Sequence, residues 1–421
     1  MIHELRLADF KNFREAVLPL GNLALLVGTN ASGKSNLRDA FRFLHGLGRG
    51  YLLAEIIGEK YVEGGVLQWK GIRGGTREAV YRSGRTFRLA TTMTAEGGGG
   101  LHTIEVDVGD NGSRPRVVRE SLWQDGLMVF DSHPTDDLPD QEGSPYLFVR
   151  LPRDKQNRKQ GKKLRFLDNQ PVLSQFAENG KVKQDWKARA QRMIDALASM
   201  RFLDLVPEAM RLPSIPGQVI LGDRGENLSS VLQAIVEQSE KKRALLEWIR
   251  QLTPLDVNDF DFVPDQTGKI LVTLIESDGQ RTSAYSASDG TLRFLAMIAA
   301  MLGPDPARFY FFEELDTGIH ATRLYLLLQL IEQSVAGGRI QVVATTHSPP
   351  LLGFLSESAR ESASLVYRLP GQPDAHIRKI VDIPEARHIL QTRSLGRLLE
   401  SGWLENAVAF LEPDGQEGAA P

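Results

Sequence analysis

Eight residues, Gly28-Thr29-Asn30-Ala31-Ser32-Gly33-Lys34-Ser35, fit the pattern G-x-x-x-x-G-K-[ST] without a mismatch. An apolar run at 23–27 precedes them and an amphipathic run at 35–44 follows. Strand, glycine-rich turn and helix, in that order, is the context in which this pattern has a mechanism. The glycines let the backbone fold tightly, so that successive N–H groups converge on phosphate oxygens, and the helix directs its positive end at the same place. Lys34 is expected near the β and γ phosphates of a nucleotide, and Ser35 is expected to offer its hydroxyl to Mg²⁺. We take Gly28 through Asn36 as the nucleotide-binding stretch.

A phosphate loop alone leaves kinases, GTPases and motors open, so the reaction has to be read further along the chain. Phe309–Phe312 is a short apolar strand ending in Glu313 and Glu314. There the first carboxylate is expected to hold Mg²⁺ and the second to orient the attacking water. Burial beside phosphates is expected to raise the carboxyl pKa of Glu314, as suits a general base. A second apolar strand, 341–345, ends in Thr346, His347 and Ser348. This puts a histidine at the carboxyl edge of a sheet, where ligands of open α/β sheets bind. Ahead of both lies Ser286-Ala287-Ser288-Asp289-Gly290-Thr291, a polar turn opening a helix. Its free N–H groups make a second anion site, one that a chain's own phosphate loop does not need and another copy's nucleotide does.

The four motifs in this order resemble the ABC-type ATPases of the RecF, SMC and OLD group, and above all short ATPases similar to the ATPase half of OLD nucleases. Residues 1–50 and 284–355 carry the resemblance, including the opening Leu5-Arg-Leu-Ala-Asp-Phe-Lys-Asn-Phe13. It implies an α/β P-loop NTPase fold of ABC type, a mixed sheet flanked by helices, with an inserted mixed α+β region. It also implies ATP hydrolysis with ATP and Mg²⁺. Carried over position by position, Lys34 and Ser35 match the P-loop pair, Glu313 the metal carboxylate, Glu314 the catalytic base and His347 the switch histidine. Ser288, Asp289 and Gly290 match the signature that meets the γ phosphate across a dimer, and Thr317-Gly-Ile-His320 the D-loop. Three positions depart from the pattern: Glu313 replaces the more usual Asp, Leu315 stands where Pro is common, and Gln68, Gln170 and Gln175 all compete for the Q-loop glutamine. The implied machine is an ATP-gated clamp in which two copies sandwich two ATP molecules.

The remaining sequence sets the surroundings. A chain of 421 residues suggests two or three structural units. We divide it into 1–90, an insertion at 91–225, a second ATPase part at 226–375, and a helical extension with a disordered Gly/Ala/Pro-rich tail at 376–421. The absence of cysteine removes disulfides, thiolate nucleophiles and cysteine-based metal sites. With no signal peptide and no apolar run long enough for a membrane, a cytoplasmic protein with no membrane partner is expected. A net charge of −3 means that any nucleic-acid contact must be local.

Such a locality exists between 150 and 165, where Arg150, Arg153, Lys155, Arg158, Lys159, Lys162, Lys163 and Arg165 face only Asp154. Lys155, Arg158, Lys159, Lys162 and Lys163 are our DNA-binding candidates; a solvated basic loop is the alternative. OLD nucleases carry a metal-dependent nuclease domain after the histidine motif. Only 74 residues follow His347 here, so that domain is expected to be absent and Asp259 and Asp261 to be solvated acids in a loop. A separately encoded nuclease or effector, in DNA repair or phage defence, is the partner this implies. Two other readings stay open: a regulatory nucleotide-binding scaffold acting on a partner protein, and a transporter ATPase subunit.

Overall fold

Leu23–Val27 is buried at all five positions, and its side chains divide between two cores. Leu23, Leu25 and Val27 enter one, Ala24 and Leu26 the other. A strand apolar on both faces belongs inside a parallel sheet covered on both sides. The computed structural model shows that sheet; it describes the chain except residues 96–97, 111, 133–144, 152–162, 254, 320, 348, 370 and 384–421. Its strand order is Met200–Leu203, Phe309–Phe312, Gln341–Thr346, Leu23–Val27, Ser364–Arg368 and Ala375–Lys379. The first five run parallel and the last pairs antiparallel. Phe309 and Phe311 join Ala24 and Leu26 in one core, whereas Tyr310 and Phe312 join Leu25 in the other.

On one face the helix Lys34–Gly48 packs its aromatic residues onto the sheet, with the Phe41 and Phe309 ring centroids 5.1 Å apart. An eight-stranded antiparallel sheet covers this side. Phe87 on that sheet stands edge-on to Phe10 and to Phe43 of the helix, each at 5.2 Å. The eight strands include Ile2–Phe10 and Phe13–Pro19 together with strands from Thr86–Ala95 to Lys163–Leu167, so both sides of residue 90 share one sheet. On the opposite face, helices Leu228–Val236, Ser239–Leu252, Asp289–Leu302 and Ala321–Val335 pack with a three-stranded sheet, 257–283.

Two local expectations change. The sequence alone reads as one helical stretch over 228–249; the structure has two helices there, because Gln238 adopts an extended backbone and Ser239 starts the second, and the apolar periodicity runs across the break since both helices bury a face in one core. Asp259 and Asp261 stay half exposed, as expected, but not in a loop. They lie in the strand Val257–Pro264, Asp259 paired with Lys242 at 2.6 Å and Asp261 with Arg281. Of the expected extension at 376–421, residues 376–379 instead end the last strand of the central sheet and 380–382 make a single 3-10 turn; the rest, 384–421, lies outside the described residues.

Candidate functional site

The loop from Gly28 to Gly33 connects the central strand to the helix Lys34–Gly48, and its shape forbids side chains at both ends. A Cβ on Gly28 would sit 2.1 Å from the carbonyl oxygen of Val366. Gly33 has φ +122°, a conformation L side chains rarely adopt, and faces the Phe13 ring and Ala375. Between them Ala31 also has a positive φ, 62°, and Thr29, Asn30 and Ala31 are exposed. The Ser32 hydroxyl is buried and, among the described residues, has no hydrogen-bond partner. A tight glycine-bounded concavity with an unsatisfied polar atom fits a phosphate group. Ser35 follows Lys34 on the first turn of the helix, half-buried, and Asn36 donates from its side chain to Asn12 at 2.6 Å.

Lys34 folds over the loop and donates to the carbonyl oxygens of Gly28 at 2.5 Å and Thr29 at 2.8 Å. Burial lowers its pKa to about 8, while the carboxylates of Glu314 and Asp316 pull the other way. Its Nζ lies 3.4 Å from Nδ1 of His347.

Glu313 and Glu314 are held by the strands on either side. The Glu313 N–H donates to the Leu203 carbonyl at 3.2 Å, the Glu314 N–H to the Thr345 hydroxyl at 2.9 Å and the Leu315 N–H to the Thr345 carbonyl at 2.9 Å. The Glu313 carboxylate pairs with Arg38 at 3.4 Å. Arg38 stands three residues after Ser35, on the same helix face, so the ion pair sets Glu313 against the face that carries the serine hydroxyl. A hydroxyl and one carboxylate beside a phosphate site are the hard oxygen donors Mg²⁺ takes. Burial raises the Glu313 carboxyl pKa, and Arg38 opposes the rise.

Burial therefore falls on Glu313 and not on Glu314, contrary to the expectation from sequence. The Glu314 side chain is 54% exposed, accepts from the Thr317 hydroxyl at 2.9 Å, and lies 3.7 Å from Nε2 of His347. Its backbone sits at φ +48°, a strained setting for a non-glycine residue, kept by the Thr345 contacts around it. Lys34, His347, Glu314 and Thr317 thus form a continuous line from the phosphate loop to the D-loop segment.

The signature turn is exposed. Ser288 caps the helix Asp289–Leu302, its hydroxyl accepting from the Thr291 N–H at 3.2 Å, as an N-cap serine should. The Asp289 carboxylate is held by Arg211 at 2.6 Å. Gly290 is packed so closely on the D-loop segment that a Cβ would lie 3.0 Å from the Gly318 carbonyl oxygen. Signature turn and D-loop therefore share one surface.

Other candidates fall apart from this centre. Gln170 donates to the Gly50 carbonyl, and Gln175 bonds the backbone of Leu167 and Gln170, so both serve local structure; Gln68 is exposed on Val66–Trp69. Lys163 opens the strand Lys163–Leu167. Lys155, Arg158, Lys159 and Lys162, with His320 and Ser348, lie outside the described residues. Sequence reading missed Thr345 and Arg38, and it placed Thr317 in the D-loop without its contact to Glu314. It also missed Lys11, whose ammonium is buried 2.8 Å from the Asp39 carboxylate on the phosphate-loop helix.

A family model described as "AAA domain, putative AbiEii toxin, Type IV TA system" matches residues 23–353, from the strand before the phosphate loop to just past His347. The chain belongs to this AAA-domain family. The matched residues form an AAA domain with a P-loop nucleotide-binding ATPase fold. No curated protein matches it. Among solved structures it is similar to an SMC head bound to the C-terminal winged-helix domain of ScpA, at 13% identity and TM-score 0.48 over 90% of this chain and 97% of that one. It is likewise similar to the SMC head domain from Thermotoga maritima, at 12% identity and TM-score 0.42 over 90% and 98%. Among the described residues no helix is long and apolar enough to cross a membrane.

Proposed function

We propose that this AAA-domain chain hydrolyses ATP as a nucleotide-gated clamp, two copies closing on two ATP molecules. In this reading Lys34 and the loop N–H groups hold the β and γ phosphates, and Ser35 with Glu313 holds Mg²⁺. The metal supplies positive charge that offsets the charge building on the phosphates. Glu314 accepts a proton from the attacking water, and His347 donates to the γ phosphate. The N–H groups at the partner copy's signature turn complete the site. Removal of the γ phosphate then withdraws the charge-assisted contacts that join the copies.

The observation that carries this reading is the exposed Ser288 turn packed beside the D-loop through Gly290 and Gly318. An anion-binding helix start on the surface, served by no phosphate loop adjoining it in sequence, suits a nucleotide presented by another molecule. Sizing Glu314→Gln with and without ATP tests it. ATP-dependent doubling of mass is expected, and a monomer at saturating ATP contradicts the clamp.

Coupling to DNA and to a separately encoded nuclease or effector, in repair or phage defence, extends the proposal. The toxin–antitoxin setting in the family description supports a separately encoded partner. A second reading, a nucleotide-controlled scaffold acting on a protein partner without DNA, is favoured by the exposed apolar hairpin at 60–69, where Val66 is 62% exposed beside Tyr61 and Leu67. Stimulation of hydrolysis by DNA of arbitrary sequence separates the two.

A further inference from the structure

The strands Tyr146–Arg150 and Lys163–Leu167 end the eight-stranded sheet on one side. Their register sets Tyr146 opposite Leu167, Phe148 opposite Arg165 and Arg150 opposite Lys163. Directly opposed residues of an antiparallel pair project from the same face, and alternate residues from the other. Val149, Leu164 and Phe166 are buried, with Leu147 packed on the same core, so the inward face is accounted for. The outward face is of another kind. Tyr146 is 47% and Leu167 41% exposed, Lys163 and Arg165 are exposed, and the Arg165 guanidinium lies over the Phe148 ring at 5.4 Å.

In sequence the aromatic residues precede the basic run; strand pairing sets the two chemistries side by side. We propose that this face binds single-stranded nucleic acid. Tyr146 and Phe148 are stacking platforms for bases, and Lys163 and Arg165 contact phosphates. The proposal rests on the DNA-coupled reading above and specifies the strand form and the surface.

Charge and ring chemistry favour this occupant. On the inner side Asp131 lies opposite Arg150 and is also near Arg119, whereas the strand Lys163–Leu167 carries two cations and no acid. In a chain of net charge −3 this excess is local, and local excess is what a phosphate backbone reads. The exposed Tyr146 ring and the half-buried Phe148 ring under Arg165 add selectivity, because bases offer their faces when unpaired and hide them within a duplex.

The test is fluorescence anisotropy of the full chain with a labelled oligothymidylate and with a duplex of equal length, across a range of salt. The single strand is expected to bind more tightly. Tyr146→Ala with Phe148→Ala is expected to weaken it by about tenfold or more, and Phe148→Trp to retain it. Arg165→Gln is expected to lower the salt slope by ~0.7, as for one lost phosphate contact. Melting temperatures of all variants accompany the titrations, and the Trp and Gln variants decide the matter if the double alanine variant melts early. Wild-type binding that survives in every variant, or a preference for duplex, overturns this surface while leaving DNA coupling standing. Wild-type failure to bind either form overturns both.

Discussion

The Nε2 atom of His347 lies 3.7 Å from Oε1 of Glu314, across the ends of two strands that are parallel neighbours in the central sheet. Strand pairing thus sets the distance between the proposed γ-phosphate sensor and the proposed base. Glu314→Gln keeps the side-chain size and removes the proton acceptor. Turnover is expected to fall by about a hundredfold or more with nucleotide affinity within a few-fold of wild type. His347→Ala is expected to lower kcat more than it raises KM. Phosphate-release kinetics with nucleotide titrations check both, and unchanged turnover in Glu314→Gln assigns the base elsewhere.

Thr345 positions Glu314 from the neighbouring strand. Its hydroxyl accepts the Glu314 N–H at 2.9 Å, and its side chain is buried. Thr345→Val keeps the shape and leaves that N–H unsatisfied, a loss of about 1–3 kcal/mol of stability. We expect kcat to fall with KM little changed; denaturant unfolding and steady-state kinetics measure the two effects.

Lys34 gives the site a pH dependence. Burial holds its pKa at about 8 in the free protein, below the usual 10.5, whereas bound phosphates favour the charged form. Above pH 8 binding must therefore draw a proton from solvent, and affinity for ATP is expected to fall by up to about tenfold per pH unit; below pH 8 it levels off. Calorimetry in two buffers of different ionisation heat reads this uptake directly. A flat affinity with no uptake above pH 8 contradicts it.

The phosphate-loop helix is anchored through Asp39, which is buried against Lys11 at 2.8 Å and Arg73 at 3.1 Å. Lys11→Ala leaves that carboxylate with one half-exposed partner and is expected to cost about 3 kcal/mol. Arg73→Ala is expected to cost less, because Lys11 remains. Urea unfolding of both variants gives the order.

The parts legible in the sequence were local ones. Gly28 through Ser35, the apolar strand ending at Glu313 and the Ser288 cap each carry their signal within a few consecutive residues. What escaped depended on partners far along the chain. Arg38 meets Glu313, Thr345 meets Glu314 and Lys11 meets Asp39 only after the sheets assemble. The strand holding Asp259 and Asp261 was hidden for another reason: its register shifts between Val257 and Asp259, which breaks the alternation that marks a strand. The burial expected at Glu314 falls on Glu313, because a positive φ turns the chain at Glu314 and leaves its side chain 54% exposed.

The central claim is that each nucleotide is held by the phosphate loop of one copy and the signature turn of another. Mixing two inactive variants tests it most directly. Lys34→Ala spoils the loop and spares the signature, whereas Ser288→Arg does the reverse, so a mixed pair contains one complete site. ATP turnover in the mixture well above the sum of the two variants alone is the expected result. A mixture no more active than that sum, formed under conditions where the variants associate, contradicts the claim.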